Sequence, residues 1–242
     1  MFAPFGYFWA TRHPYPCLLF VLPLLAGYEA GVWYLGGAQP EAVRNGADNW
    51  LRWGLAAAGF VQPWLPPVAL LLLFTAWSWL RQDDRPYDVV GVLSGMVMES
   101  VVYALGLWGL SRSLTPLLRH YGIGLAVGPG LENAFRQIIP YVGAGIYEEA
   151  LFRLCLYSIM RGFFGRLELA PGMAVLLGAV ASSALFAAAH HVGPYGQPYT
   201  NYLFLFRLVA GLYFALLFQL RGFGIAVGAH ACYNVLVSVA AE

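Results

Sequence analysis

Long apolar stretches dominate this 242-residue chain and limit the folds open to it. A helix that crosses a bilayer needs about 20 mostly apolar residues, and about seven stretches approach that length. We predict membrane helices over residues 17–37, 55–80, 89–111, 134–160, 172–191, 202–220 and 224–240, and a short interfacial or eighth helix within 112–133. Lipid admits only structures that satisfy their own backbone hydrogen bonds. The sequence therefore predicts an all-α, polytopic transmembrane bundle of about seven to eight helices, with residues 1–242 as a single integral membrane domain.

The composition supports a membrane environment. Apolar residues make up 60% of the chain and charged residues 10%, against about 45–50% and about 25% in soluble domains. A net charge of +1 argues against a nucleic-acid partner, which would require a basic stripe. The three cysteines, at 17, 155 and 232, are dispersed in apolar runs, so neither a disulfide framework nor a CxxC metal site is predicted.

Ionisable side chains inside the apolar runs are the candidates for function, because burying them in hydrocarbon is costly. The set comprises Glu29, Glu99, Glu148, Glu149, Arg153, His190, His191, Arg207 and His230, with Asn234 as a polar companion. We expect Glu29 and Glu99 to be hydrogen-bonded groups that hold helices together. The alternative is that one of them lines a substrate path.

The segment 147–157, YEEALFRLCLY, carries three charges. Glu149 and Arg153 are four residues apart, in the order favoured for an ion pair on one helical face. At about 100° per residue, Glu148 lies about 140° round the helix from Arg153 and needs another partner. A structural ion pair beside an interfacial glutamate would also account for this pattern.

Two later apolar helices carry polar groups. In LFAAAHH (185–191), Phe186 and His190 share a face, and in HACYN (230–234), His230 and Asn234 do. Taken singly, each is explained by an interfacial histidine or an interhelical hydrogen bond. If these faces meet that of Glu148, the carboxylate and His190 can hold and deprotonate a water molecule. His230 and Asn234 can then donate hydrogen bonds to an oxyanion.

The segments EEALFR, FAAAH and HACYN resemble, in order and spacing, the EExxxR, FxxxH and HxxxN motifs of the CPBP or CAAX prenyl-protease-type family of glutamic intramembrane proteases. The resemblance covers about residues 130–240, the motif-bearing catalytic core. It implies a membrane-embedded, glutamate-dependent endopeptidase that cuts a hydrophobic or membrane-tethered peptide. The catalytic residues it implies are Glu148, His190, His230 and Asn234, and the supporting residues are Glu149, Arg153 and Phe186.

The resemblance implies a site with no metal and no cofactor. Zinc is the mechanistic alternative, because Glu148, His190 and His230 would form a His₂Glu ligand set with an open position, although no HExxH is present. A non-catalytic membrane immunity or scaffold protein of the same fold is a second alternative. A transporter with a proton relay is a third, but the inverted repeats typical of transporters are not found.

All 13 basic residues are arginine. This usage suggests a GC-rich bacterial genome, so we expect an integral protein of the bacterial cytoplasmic membrane. Its expected partners are membrane lipid and a hydrophobic or membrane-anchored peptide or protein, and a prenylated substrate is not predicted. Alternating spans would place on one side Arg12, Arg81, Arg85, Arg161, Arg166 and Arg221, and on the other Arg44, Arg52, Arg112, Arg119 and Arg136.

Overall fold

The computed structural model describes residues 6–120, 138–193 and 196–239, and these residues form helices and no strands. The helices are α1 Tyr7–Ala10, α2 Pro14–Gly36, α3 Gly46–Ala57, α4 Leu65–Leu80, α5 Val89–His120, α6 138–165, α7 Pro171–Ala189, α8 Asn201–Arg221 and α9 Phe223–Val239. Short 3₁₀ turns occur at Pro40–Ala42 and Gln82–Asp84. The predicted all-α bundle is confirmed.

Helix length and composition identify membrane spans. Four helices are long and apolar enough to cross a bilayer, namely Pro14–Gly36, Val89–Leu114, Gly172–Ala189 and Asn201–Arg221. The helices α4 and α9 are apolar but shorter. Large apolar side chains on the outer faces are exposed, among them Leu72, Val102 and Leu176, as expected for a surface that contacts lipid. The protein is therefore an integral membrane protein, and the total of seven to eight spans stays a prediction.

Two predicted segments were wrong in detail. The span predicted over 55–80 begins only at Leu65, because α3 and a turn precede it, and α3 itself was assigned to a polar connection. The span predicted over 89–111 continues to His120 as α5. The rest of the segment 112–133 lies outside the described residues.

The helix α9 occupies the centre of the bundle. Every residue from 221 to 230 is buried, and α9 packs on α5, α8, α6 and α2. Gly224 and Gly228 lie one turn apart, where added side chains would collide with Met96 and Ser100 of α5. Small residues at this spacing let the two helices approach closely. His230 is thereby held deep among the other helices.

The winding of α6 differs from the predicted α-helix. Residues 138–143 are α-helical, Ala144–Glu148 and Ala150–Tyr157 are wound as π-helix, and Ser158–Gly165 is α-helical again. π-Helical turns use i→i+5 hydrogen bonds, are rare, and occur frequently at functional sites. The expected angular positions of both glutamates, which assumed 3.6 residues per turn, are therefore wrong in detail.

The two glutamates outside the motifs connect helices, as expected. Arg44 donates to both carboxylate oxygens of Glu29 at 3.2 and 3.0 Å, and the Tyr147 hydroxyl donates to it at 2.9 Å. Arg221 donates to both oxygens of Glu99 at 2.7 Å each. These contacts connect α2 to α6 and α5 to α8.

Candidate active site

Three of the predicted catalytic side chains converge from three helices. Glu148 Oε2 lies 3.8 Å from His190 Nε2 and 3.7 Å from His230 Nε2. Glu148 comes from the π-helical part of α6, His190 follows the last residue of α7, and His230 lies within α9. These separations exceed a direct hydrogen bond and are short enough for a shared water molecule. The faces that the sequence could not place relative to one another do meet.

Both histidines are oriented through Nδ1. The His190 Nδ1–H donates to the Phe186 carbonyl at 2.8 Å, and the His230 Nδ1–H donates to Glu149 Oε1 at 2.7 Å. A carbonyl and a carboxylate can only accept, so the hydrogen in each bond belongs to the histidine. Each ring therefore directs Nε2 towards Glu148.

Glu149 is fully buried and forms the predicted ion pair. Its Oε2 lies 3.3 Å from Arg153 Nε, and both side chains are at most 1% exposed. The sequence did not indicate its second partner, His230. Glu149 thus both neutralises Arg153 and orients a histidine of the site, as carboxylates do for the histidines of catalytic triads.

Aromatic rings enclose these charges. The Arg153 guanidinium lies 4.3 Å from the Phe186 ring centroid and 5.6 Å from that of Phe214. Phe214 also stacks on His230, with centroids 4.4 Å apart and planes 13° apart. Phe186, predicted as a supporting residue, therefore contributes its carbonyl to His190 and its ring to Arg153.

Asn234 is not joined to this cluster. It lies one turn after His230 on α9 and is partly buried, and its side chain makes no hydrogen bond to another described residue. Its predicted role at an oxyanion is compatible with this position and stays a prediction.

Asn45 is a polar residue of the site that the sequence did not indicate. Its Nδ2 donates to Glu148 Oε1 at 3.5 Å, and its Oδ1 accepts from the Asp48 backbone N–H at 3.0 Å. The second bond caps the start of α3. Asn45, with Asp48 three residues later, signals a helix start, but no local signal predicts a contact with a residue 103 positions away.

A cavity of about 110 Å³ adjoins Glu148 and His190. Its lining comes from Trp50 and its neighbours on α3, Phe152 on α6, and the end of α7. This volume exceeds what one water molecule needs. The helix α3, anchored by the Arg44–Asp48 ion pair at 2.7 Å, therefore covers a space in which water can reach the carboxylate.

The loop after α7 is held by Arg207. Its guanidinium donates to Gln197 Oε1 at 2.5 Å and lies 3.5 Å from His191 Nε2. His191 Nδ1 in turn donates to the Gln197 carbonyl at 3.0 Å. These contacts fix the segment that begins with His190. Burial, partly offset by the Glu148 carboxylate, lowers the pKa of His190 below its ordinary value, which favours a neutral ring.

The same three side chains are the candidate metal ligands. Within residues 6–120, 138–193 and 196–239, no three His, Cys, Asp or Glu side chains are arranged as a metal-binding group. The carboxylate of Glu148 lies within 4 Å of the imidazoles of His190 and His230.

Residues 130–236 match the family described as type II CAAX prenyl endopeptidase Rce1-like. The matched segment contains all three motifs and confirms the family resemblance. Comparison with curated proteins and with solved structures gives no match. The motif-bearing segment of this integral membrane protein is thus similar to the Rce1-like type II CAAX prenyl endopeptidases.

Proposed function

We propose that the protein is a glutamate-dependent intramembrane endopeptidase. The observation that supports this most strongly is the different environment of two adjacent carboxylates. Glu149 is buried against Arg153, whereas Glu148 faces the Nε2 atoms of two histidines at the edge of a cavity. One glutamate is therefore structural, and the other is available for proton transfer.

Glu148 and His190 act together on a water molecule. The Glu148 carboxylate accepts one proton from the water. The other O–H group of the water donates a hydrogen bond to His190 Nε2. The resulting hydroxide attacks the scissile carbonyl, which becomes a tetrahedral oxyanion. When the C–N bond breaks, the proton held by Glu148 passes to the leaving amine, which restores the carboxylate.

His230 and Asn234 stabilise the oxyanion. The His230 Nε2 must carry a hydrogen to donate to it, so the ring is doubly protonated during this step. Its positive charge is balanced by Glu149 at 2.7 Å. With Arg153 also positive and Glu148 protonated, the charges of Glu149 and the oxyanion are balanced, and the buried cluster is neutral as a whole.

The substrate is a peptide or protein that is hydrophobic or anchored in the same membrane. Four helices are long and apolar enough to span a bilayer, and His190 lies at the end of one of them, so a substrate already in the bilayer has a short route to the site. The protein lies in the bacterial cytoplasmic membrane and uses no metal and no other cofactor, and zinc held by Glu148, His190 and His230 is the alternative.

The test is cleavage of a membrane-tethered peptide library in proteoliposomes. Glu148→Gln and His190→Ala are expected to lower kcat/KM by about 10²-fold or more, the contribution typical of general-base catalysis. His191→Asn is the matched control, because the amide can keep the hydrogen bond to the Gln197 carbonyl while the imidazole next to His190 is removed. Its activity should stay within a few-fold of wild type.

The outcomes separate the candidate functions. Full activity in Glu148→Gln or His190→Ala refutes the mechanism. Loss of activity on chelation, with recovery only on adding Zn²⁺, supports the zinc protease instead. Absence of cleavage of any peptide by the wild type, with all variants folded, supports an immunity or scaffold protein. Substrate-coupled proton flux in the same vesicles supports a transporter.

A further inference from the structure

An apolar cavity separates α4 from α6. It measures about 250 Å³ and is lined by Leu70 and Leu73 of α4 and by Leu151, Leu154 and Cys155 of α6. Leu73 lines the cavity and is 49% exposed, so the cavity is open to the surface. The two helices are therefore not packed together here, and an apolar molecule can lie between them.

A second cavity continues along the same two helices. It measures about 390 Å³, and its lining includes Phe74 and Trp77 of α4 and Ser158 and Arg161 of α6. These positions follow the lining residues of the apolar cavity by about one helical turn on each helix. The two cavities thus lie end to end along α4 and α6. Together they are called here the α4–α6 groove, whose lining changes from apolar to polar towards the C-terminal ends of both helices.

Three arginines lie at the polar end of this groove, and two of them have no carboxylate partner among the described residues. Arg81 is paired with Asp84 and lies over the Trp9 ring at 5.4 Å. Arg161 donates only to the neutral Gln219 Oε1, at 3.3 Å, and Arg12 is exposed. The polar end therefore has an excess of positive charge.

We propose that the α4–α6 groove binds one anionic phospholipid. The phosphate lies between Arg12 and Arg161, which can donate charge-assisted hydrogen bonds to it, and one acyl chain lies along Leu73 and Leu154. Trp9 and Trp77 line the polar end, and tryptophan is typical of the headgroup level of a bilayer. A negative headgroup is required because a zwitterionic one brings its own positive charge to the two arginines.

This site is separate from the proposed catalytic one. Neither Glu148 nor either catalytic histidine lines the groove, although its apolar part contacts Tyr147 and Ala150, which flank the two motif glutamates on α6. A bound lipid would fill the space between α4 and α6 and so support the helix that carries Glu148 and Glu149. The proposal therefore stands whether or not the protein is a protease.

Native mass spectrometry of the delipidated full-length protein tests the proposal. Phosphatidylglycerol should be retained as a one-to-one adduct in preference to phosphatidylcholine. In the double variant Arg12→Gln/Arg161→Gln, the affinity for phosphatidylglycerol should fall about 30-fold, from about 1 kcal/mol for each arginine near an anionic headgroup. Arg85→Gln/Arg166→Gln is the matched control, because these exposed arginines lie outside the groove lining, and it should bind as wild type does.

A second pair of variants tests the apolar part of the groove without changing charge. Leu73→Trp should block the acyl chain and lower the retention of phosphatidylglycerol, whereas Leu72→Trp, on the outer face of α4, should not. Glycerol phosphate alone should bind far more weakly than the lipid. Equal retention of the two lipids, equal loss in the control variants, or equal binding of glycerol phosphate would each overturn the proposal.

Discussion

Two adjacent isosteric substitutions should have opposite effects. Glu148→Gln should abolish activity and leave the fold intact, and Glu149→Gln should destabilise the fold. Glu148 is 14% exposed, and its contacts with the histidines are 3.7 and 3.8 Å long. Glutamine keeps an oxygen that can accept the Asn45 hydrogen bond, so we expect Glu148→Gln to lower the unfolding free energy by less than about 1 kcal/mol.

Glu149→Gln leaves the Arg153 guanidinium buried without its counter-ion. Removing one member of a buried ion pair typically costs about 3–5 kcal/mol. The new amide oxygen can still accept from His230 Nδ1, which retains one hydrogen bond, so the lower end, about 3 kcal/mol, is expected. Arg153→Met should be destabilising as well, because it leaves Glu149 with His230 alone.

Unfolding free energies in mixed micelles, measured by titration with SDS, would provide the comparison. The double variant Glu149→Gln/Arg153→Met should lose less stability than the sum of the single variants, because neither residue is then left unpaired. The reasoning fails if Glu149→Gln is as stable as Glu148→Gln to within about 0.5 kcal/mol, the ordinary error of additivity.

Three further predictions concern the surroundings of the site. Asn45→Asp keeps the cap of α3 but places a second carboxylate beside Glu148, so kcat should fall, while thermal stability falls far less than it does for Asn45→Ala. Burial lowers the pKa of His190, so kcat/KM should decline only as the pH falls below about 6.5. Arg207→Gln removes a nearby cation and should therefore move that decline to higher pH. Arg221→Gln should lower thermal stability by breaking its bidentate pair, yet leave kcat/KM of the folded enzyme unchanged, and an unaltered melting midpoint would contradict this.

The sequence predicted the helices well because each crossing requires a long apolar run. Its errors lie where that rule does not apply. The helix α3 carries Asp48 and Arg52 and was assigned to a polar connection, but its charges are neutralised by Glu29 and Arg44 from outside the helix. The π-helical winding of α6 has no known signal in residue spacing, and it includes Gly145, where an added side chain would collide with the Val227 carbonyl of α9.

The residue types of the site could be predicted from the sequence, but the contacts between them could be predicted only in part. Local spacing was enough to pair Glu149 with Arg153, since their separation of four residues brings the side chains together in either winding. The contact of His230 with Glu149 joins residues 81 positions apart, and that of Asn45 with Glu148 joins residues 103 apart. Contacts of this kind depend on how helices are arranged in three dimensions, which a single sequence does not encode in its periodicity.

The placement of hydrogens limits the chemistry of this site. Nδ1 of each histidine is committed to an acceptor, so two neutral rings and Glu148 would present three acceptor atoms to one another. A water molecule can donate to only two of them. The third acceptor atom needs an additional proton or a cation as its partner. A proton on His230 Nε2 would supply the hydrogen-bond donor to the oxyanion that the mechanism requires. Zn²⁺ would meet the same need by accepting all three lone pairs. Activity that persists after exhaustive chelation would therefore assign the missing charge to a proton, and activity restored only by Zn²⁺ would assign it to the metal.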